Sequence, residues 1–124
     1  MPITGHCHCG DIAFSIEGEI PPELTRCTCS VCSRHGALYA YYPPERFHVT
    51  AAAGSDAVYR WNTMQVAHHF CARCGSLTYI DSPAYGHDRS WDGKTRRIGA
   101  SARLFDDFDA AEAPVRVIDG KNLW

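Results

Sequence analysis

Seven cysteines arrive in three tight groups: Cys7 and Cys9, then Cys27, Cys29 and Cys32, then Cys71 and Cys74. An odd count cannot close entirely into disulfides, so the pattern reads as metal ligation. Four thiolates complete one tetrahedral zinc site. Three leave a second site with one open position, which is the usual difference between structural and catalytic zinc. Whatever fold this chain adopts must therefore bring distant loops together around sulfur.

The outer groups look like matched halves of one site. Cys7-His8-Cys9-Gly10 and Cys71-Ala72-Arg73-Cys74-Gly75 each carry a glycine directly after the second thiol. Glycine takes positive φ without penalty, which lets the backbone fold around a sulfur and aim amide N–H groups at it. With Zn–S bonds of about 2.3 Å, tetrahedral ligand sulfurs lie roughly 3.8 Å apart, and short spacers permit that. A shared ion would clamp the beginning of the chain to its middle. The competing reading, buried thiols without metal, has less support, because such pairs in so short a chain are rare outside metal sites.

Once the outer four are assigned, Cys27-Thr28-Cys29-Ser30-Val31-Cys32 has no cysteine partner left. Its fourth position falls to water, a substrate, a histidine or nothing. A zinc with three thiolates carries net negative charge and is a poor Lewis acid, so hydrolysis is the less natural use. Holding an incoming thiol as thiolate and presenting it to an electrophile is chemistry that sulfur ligation favours. Two alternatives stay open: a histidine completes a second structural zinc, or the three cysteines are metal-free and redox-active.

The rest of the sequence narrows the setting. Its 124 residues suit a single domain, 1–124, and the balance of 12 Lys and Arg against 14 Asp and Glu offers no basic field for nucleic acid or an anionic membrane. No apolar run approaches the roughly 18 residues that span a bilayer. The start, Met1-Pro2-Ile3-Thr4-Gly5-His6-Cys7, lacks a basic region followed by an apolar one. The expectation is a soluble protein of a reducing compartment, the cytoplasm.

Between turn signals at Pro21-Pro22, Pro43-Pro44 and Gly54-Ser55 the segments read as short strands. Asp11 to Glu17 alternates Ile12, Phe14 and Ile16 against Ala13, Ser15 and Glu17. Leu38 to Tyr42, Phe47 to Thr50, Val58 to Trp61, Val66 to Phe70, Leu77 to Ile80 and Val115 to Ile118 are rich in β-branched and aromatic residues. Helical turns are expected at Ser30 to His35, and at Pro83 to Asp88 or Leu104 to Ala111. The fold class is mainly β.

Among the histidines, His8 points away from the metal if its segment is extended. His35 lies three residues after Cys32, within reach of the open site, although an idle loop histidine is the commoner case. Of His68 and His69, one is expected to pack and the other to face solvent, and His6, His48 and His87 offer nothing specific. Tyr39, Tyr41, Tyr42, Tyr59, Trp61 and Tyr79 read first as sheet-face or core residues and second as walls of a small-ligand pocket.

Four motifs together resemble one known family. They are Gly5-His6-Cys7-His8-Cys9-Gly10, Cys27 to Cys32 followed by Ser33-Arg34-His35-Gly36, His68-His69-Phe70-Cys71-Ala72-Arg73-Cys74-Gly75, and Asp119-Gly120-Lys121-Asn122-Leu123-Trp124. The chain resembles the glutathione-dependent formaldehyde-activating family, which also includes centromere protein V, over nearly its whole length and at all seven cysteines. The resemblance implies an Mss4-like fold of small coiled antiparallel β-sheets stapled by zinc. It implies two Zn(2+) per chain: a structural one on Cys7, Cys9, Cys71 and Cys74, and a catalytic one, held more weakly, on Cys27, Cys29 and Cys32. The implied activity is of the carbon-sulfur lyase class, addition of glutathione or a related small-molecule thiol to formaldehyde or a similar electrophile, giving S-hydroxymethylglutathione. Arg34, Arg60, Arg73, Arg96 and Arg97 are candidates, by charge alone, for the glutathione carboxylates. The alternative is a non-catalytic, zinc-stabilised protein-binding module, a use centromere protein V suggests for the same scaffold. No basic tail or low-complexity arm of the kind an adaptor would use is visible, which leans the reading toward an enzyme.

Overall fold

A computed structural model describes residues 2–86 and 90–123. The protein is mainly β, and among the described residues its strands form two sheets. The smaller is built from β1 (Ile3–His6), β2 (Ile12–Ile16) and β5 (Phe47–Ala51), with β2 in the centre and all pairs antiparallel. Its alternation is the expected one: Ile12, Phe14 and Ile16 are buried. Gly5 in β1 is forced by space, because a Cβ there would lie 2.5 Å from the Leu104 carbonyl oxygen and 2.7 Å from the Phe14 ring.

The larger sheet has seven strands in the order β10, β3, β4, β9, β8, β7, β6. They are β3 (Leu24–Cys27), β4 (Tyr39–Tyr42), β6 (Asp56–Tyr59), β7 (Ala67–Cys71), β8 (Leu77–Pro83), β9 (Arg96–Ser101) and β10 (Val115–Ile118). Neighbours are antiparallel except β10, which lies parallel to β3 and pairs Ile118 with Cys27. The sheet is thus larger than expected, and mixed, because β3 and β9 escaped the pattern reading, as β1 did in the smaller sheet. The helical turn expected at Ser30 to His35 is α1 (Ser30–His35), and a second short helix, α2 (Gly120–Leu123), follows β10. Leu104 to Ala111 is no helix; short 3-10 turns at Ala102–Leu104 and Ala110–Glu112 flank it. Pro83 closes β8, while the end of the turn expected there, and His87, lie outside the described residues.

Because side chains alternate across a pleated strand, the large sheet has two different faces. One faces the small sheet. Leu24, Ala40, Tyr42, Tyr79, Ile98 and Ala100 pack there against Phe14, Ile16 and Phe47 in the main core, with Phe47 4.7 Å from Tyr79 and 5.4 Å from Phe14 between ring centroids. The other face carries the intervening residues: Thr25 and Cys27, Tyr39 and Tyr41, Arg97 and Gly99, Ile80 and Ser82, and His68. A single strand such as β4 therefore supplies Ala40 and Tyr42 to the core and Tyr39 and Tyr41 to the opposite face.

Candidate functional site

Cys7 and Cys9 follow β1, and Cys71 ends β7 with Cys74 in the turn after it. The four sulfurs lie within 4.8 Å of one another, with Cys7 to Cys9 at 3.7 Å and Cys9 to Cys71 at 3.6 Å. Those separations are close to the roughly 3.8 Å of a tetrahedral tetrathiolate ion. Both loops are built alike. The Cys7 amide donates to Ile12 O at 2.9 Å and the Cys71 amide to Ser76 O at 2.9 Å, while Gly10 and Gly75 turn back at φ of 84° and 80°. Amides point at sulfur as the glycines suggested: Ile12 N–H donates to Cys7 Sγ at 3.3 Å and Cys74 N–H to Cys71 Sγ at 3.4 Å. Ser76, beside Cys74, holds that thiol down at about 5, which favours the ligating thiolate. His8 is exposed, consistent with its side chain turning away. By donor set and spacing this cluster can hold a metal ion.

The second cluster is assembled at the junction of β3 and α1. Cys27 ends β3, Cys29 caps the N-terminus of α1, and Cys32 is the buried residue of that helix. Their sulfurs also lie within 4.8 Å of one another, and all three residues are buried. The Cys29 amide donates to Cys27 Sγ at 3.5 Å and the Cys32 amide to Cys29 Sγ at 3.4 Å. Hydrogen bonds from Cys27 and then Cys32 pull the Cys29 thiol far down, whereas sharing hydrogens with Cys27 and then Cys29 pushes Cys32 up. Cys27 too is pushed up, so the bare group places charge on Cys29 alone, and by donor set and spacing it can receive a metal ion.

What separates the two clusters is their surroundings. Cys27, Cys29 and Cys32 form part of the wall of a cavity of about 610 Å³, and none of the other four cysteines reaches it. That volume is within the range of small-molecule sites. Val31, Trp61, Val66 and Ile80 supply apolar walls, and Tyr39, Tyr41, His68 and Arg97 supply polar groups. Three buried side-chain atoms among the described residues have no hydrogen-bond partner: the Tyr39 hydroxyl, His68 Nδ1 and Arg97 Nε. All three belong to residues lining this cavity. Buried polar atoms are nearly always paired, so three orphans around one space mark a place where a ligand completes the hydrogen bonding.

Burial explains the charge states. It pushes Tyr39 up, so its hydroxyl stays protonated, and it lifts Tyr41 to about 12. Burial, and secondarily His35, bring His68 down to about 4, leaving a neutral imidazole. His35 itself is exposed, with its ring 5.5 Å from that of His68. Neither residue of the His68-His69 pair faces solvent, contrary to the expectation. His68 faces the cavity, and His69 stacks on Tyr79 at 4.1 Å and bonds Asp56 at 2.8 Å, because adjacent residues of β7 point to opposite faces. Of the five arginines, Arg96 pairs with Asp81 at 2.7 Å, Arg73 with Asp11 at 3.3 Å, and Arg34 donates to Ser30 O at 2.7 Å, while Arg60 is exposed. Arg97 alone of the five enters the cavity.

Gly120 escaped sequence reasoning as a site residue. A Cβ there would lie 2.5 Å from Cys27 Sγ and 2.9 Å from Cys29 N, so α2 can close on the cluster only because this residue is glycine. Thr28 ties the closure together, donating from its amide to Ile118 O at 3.0 Å and accepting at its hydroxyl from Lys121 N at 3.2 Å. The signal was present in the Asp119-Gly120-Lys121 run, but no spacing links it to residues so far away.

Residues 2–91 match the family described as glutathione-dependent formaldehyde-activating enzyme. A Halomonas elongata protein that carries this family's name is 28% identical over 93 residues, an alignment covering 68% of this chain and 59% of that protein. The chain thus spans a little over half of that relative's length. The crystal structure of a Rhodobacter sphaeroides protein is similar in fold, with a TM-score of 0.72 and 24% identity over 91% of this chain and 99% of that one.

Proposed function

The chain belongs to the glutathione-dependent formaldehyde-activating enzyme family, and we propose that it is a zinc-dependent catalyst of the carbon-sulfur lyase class, adding glutathione or a related thiol to formaldehyde or a similar small aldehyde. In this reading Cys7, Cys9, Cys71 and Cys74 hold a structural zinc, and Cys27, Cys29 and Cys32 hold a catalytic one. When bound at the three cysteines, zinc supplies a position that keeps an incoming thiol in its thiolate form at neutral pH. The observation that carries the reading is the contrast in setting: the three-cysteine cluster borders a ligand-sized cavity and the four-cysteine cluster does not.

The chain's own residues supply the remainder. Val31, Trp61, Val66 and Ile80 exclude water and confine the aldehyde near the sulfur, converting a bimolecular encounter into a local one. A carbon-sulfur bond forms as the carbonyl π bond opens, and the proton lost by the thiol ends on the new hydroxyl. The Tyr39 hydroxyl, protonated and without a partner, is the donor we assign to the oxygen on which charge grows. His68, neutral and lining the same space, is suited to relay the thiol proton.

Exchange NMR spectroscopy of glutathione with formaldehyde tests the reading. The zinc-loaded protein is expected to accelerate interconversion above the spontaneous rate, and Cys29→Ser to abolish the acceleration. A wild-type rate equal to the spontaneous one refutes it.

A further inference from the structure

We infer that Arg97 forms a carboxylate-binding subsite in this cavity, so that the protein selects thiols bearing a carboxylate over those that do not. The inference deepens the proposed function and rests on it for the thiol, but not for the anion. Its basis is the state of the Arg97 side chain. The guanidinium carbon lies 3.9 Å from the centroid of the Tyr41 ring, a cation–π contact. One of the guanidinium N–H donors is uncommitted. Nε is buried without a partner, and among the described residues no carboxylate lies within 4.0 Å of this arginine.

Among the described residues, protein acids do not fill this role. Arg97 pairs with Ser82 across β8 and β9, and its neighbour Arg96 takes Asp81, on the other face of β8. Asp119, the one acid among the described residues that line the cavity, already accepts from Asn122 Nδ2 at 3.1 Å on one carboxylate oxygen and 2.9 Å on the other. Gly99 makes the platform feasible. A Cβ there would lie 2.9 Å from Tyr41 Cε1, so only glycine leaves room for the ring on which Arg97 stacks. Arg97 is half-buried, but its Nε–H is buried and unpaired, which is costly unless an acceptor meets it, and a carboxylate matches the fork with two parallel hydrogen bonds. Tyr41 lies beside Tyr39, at 6.0 Å between ring centroids, and Tyr39 packs in one cluster with Cys27, Cys29 and Cys32. The anion subsite and the sulfur site are therefore two ends of one wall, suited to a ligand with a carboxylate at one end and a thiol at the other.

Four small amines separate the two claims. Cysteine carries thiol and carboxylate, cysteamine the thiol alone, alanine the carboxylate alone, and ethylamine neither. Each is titrated into zinc-loaded protein by NMR, reading affinity together with the Arg97 Nε–H signal, assigned by its loss in Arg97→Lys. Cysteine is expected to bind about tenfold or more tightly than cysteamine, as a charge-assisted bidentate contact implies. Cysteine and alanine should shift the Nε–H signal, whereas cysteamine and ethylamine should not, and in Arg97→Met the preference should collapse toward unity. A preference for thiols without one for carboxylates overturns the inference and leaves the proposed function standing. The reverse pattern upholds the inference and removes the thiol reading, while four ligands that all fail to bind remove both. Retention of the carboxylate preference in Arg97→Met also overturns it.

Discussion

Replacing Tyr39 with phenylalanine should make the protein more stable and less active at once. The ring is 1% exposed, and its hydroxyl is one of the three buried atoms without a partner. A buried, unsatisfied polar group costs about 1–3 kcal/mol, and its removal recovers part of that while leaving only a small void. The expected net gain is about 1 kcal/mol, which for a chain of this size raises Tm by roughly 3–5 °C. Phenylalanine keeps the ring, and with it the packing against Tyr41 and the cysteine cluster. Loss of a hydrogen-bond donor to a developing oxyanion should lower the catalysed exchange rate by ~10²-fold. Thermal unfolding at matched protein and zinc concentrations, beside exchange NMR of glutathione and formaldehyde, measures both quantities. A Tm lowered by a similar margin would show that the hydroxyl serves the fold. A raised Tm with an undiminished rate would remove Tyr39 from the chemistry.

Cys74→Ser is expected to impair folding and Cys29→Ser to leave circular dichroism largely unchanged, because metal at a four-thiolate site is coupled to folding free energy; equal losses in the two variants would assign both clusters the same role. Gly120→Ala drives a methyl into Cys27 Sγ and should cost about 1–3 kcal/mol of local closure. Faster reaction of the middle cysteines with a thiol reagent is the expected readout, and an unchanged rate would show that α2 does not cover them. For pH, His68 is held at about 4 against an ordinary value of 6.5, so between these values the unfolded chain binds more protons than the folded one. This contribution is complete above pH 6.5 and is lost as pH falls toward 4. Denaturant titrations across that window should show a shallower slope for His68→Gln than for the wild type, and parallel slopes would contradict the assignment.

Much of the site could be read from the residues because cysteine chemistry is local. Spacing grouped the sulfurs, and Gly10 and Gly75 do take the positive φ expected of them. The clear alternation of Ile12, Phe14 and Ile16 identified β2, and α1 falls where the middle cluster suggested a turn. What stayed hidden depends on contacts across the sheet. Arg96-Arg97-Ile98-Gly99-Ala100-Ser101 has little strand propensity, since Gly99 is small to admit Tyr41 and Ile80, and Arg97 is present to face a cavity. Likewise β3 is only four residues long and gains a partner from β10, far along the chain. Arg97 could be separated from the other arginines only once β9 was in register, and the orphaned state of Tyr39 and His68 is a property of the cavity, visible in no local pattern.

The parallel seam between β3 and β10 also has a consequence for how the protein is made. Thr28 and its partner Ile118 are 90 residues apart. Chains grow at roughly 5–20 residues per second, so Cys27, Cys29 and Cys32 emerge on the order of ten seconds before the segment that covers them is synthesised. The four-cysteine cluster waits less, since Cys9 and Cys71 are separated by 62 residues. Vectorial synthesis therefore supplies all four outer cysteines before the segment that covers the middle cluster. For that interval the middle thiols are open to oxidants and competing metals, and how quickly Gly120 arrives to close over Cys27 sets the length of the exposure.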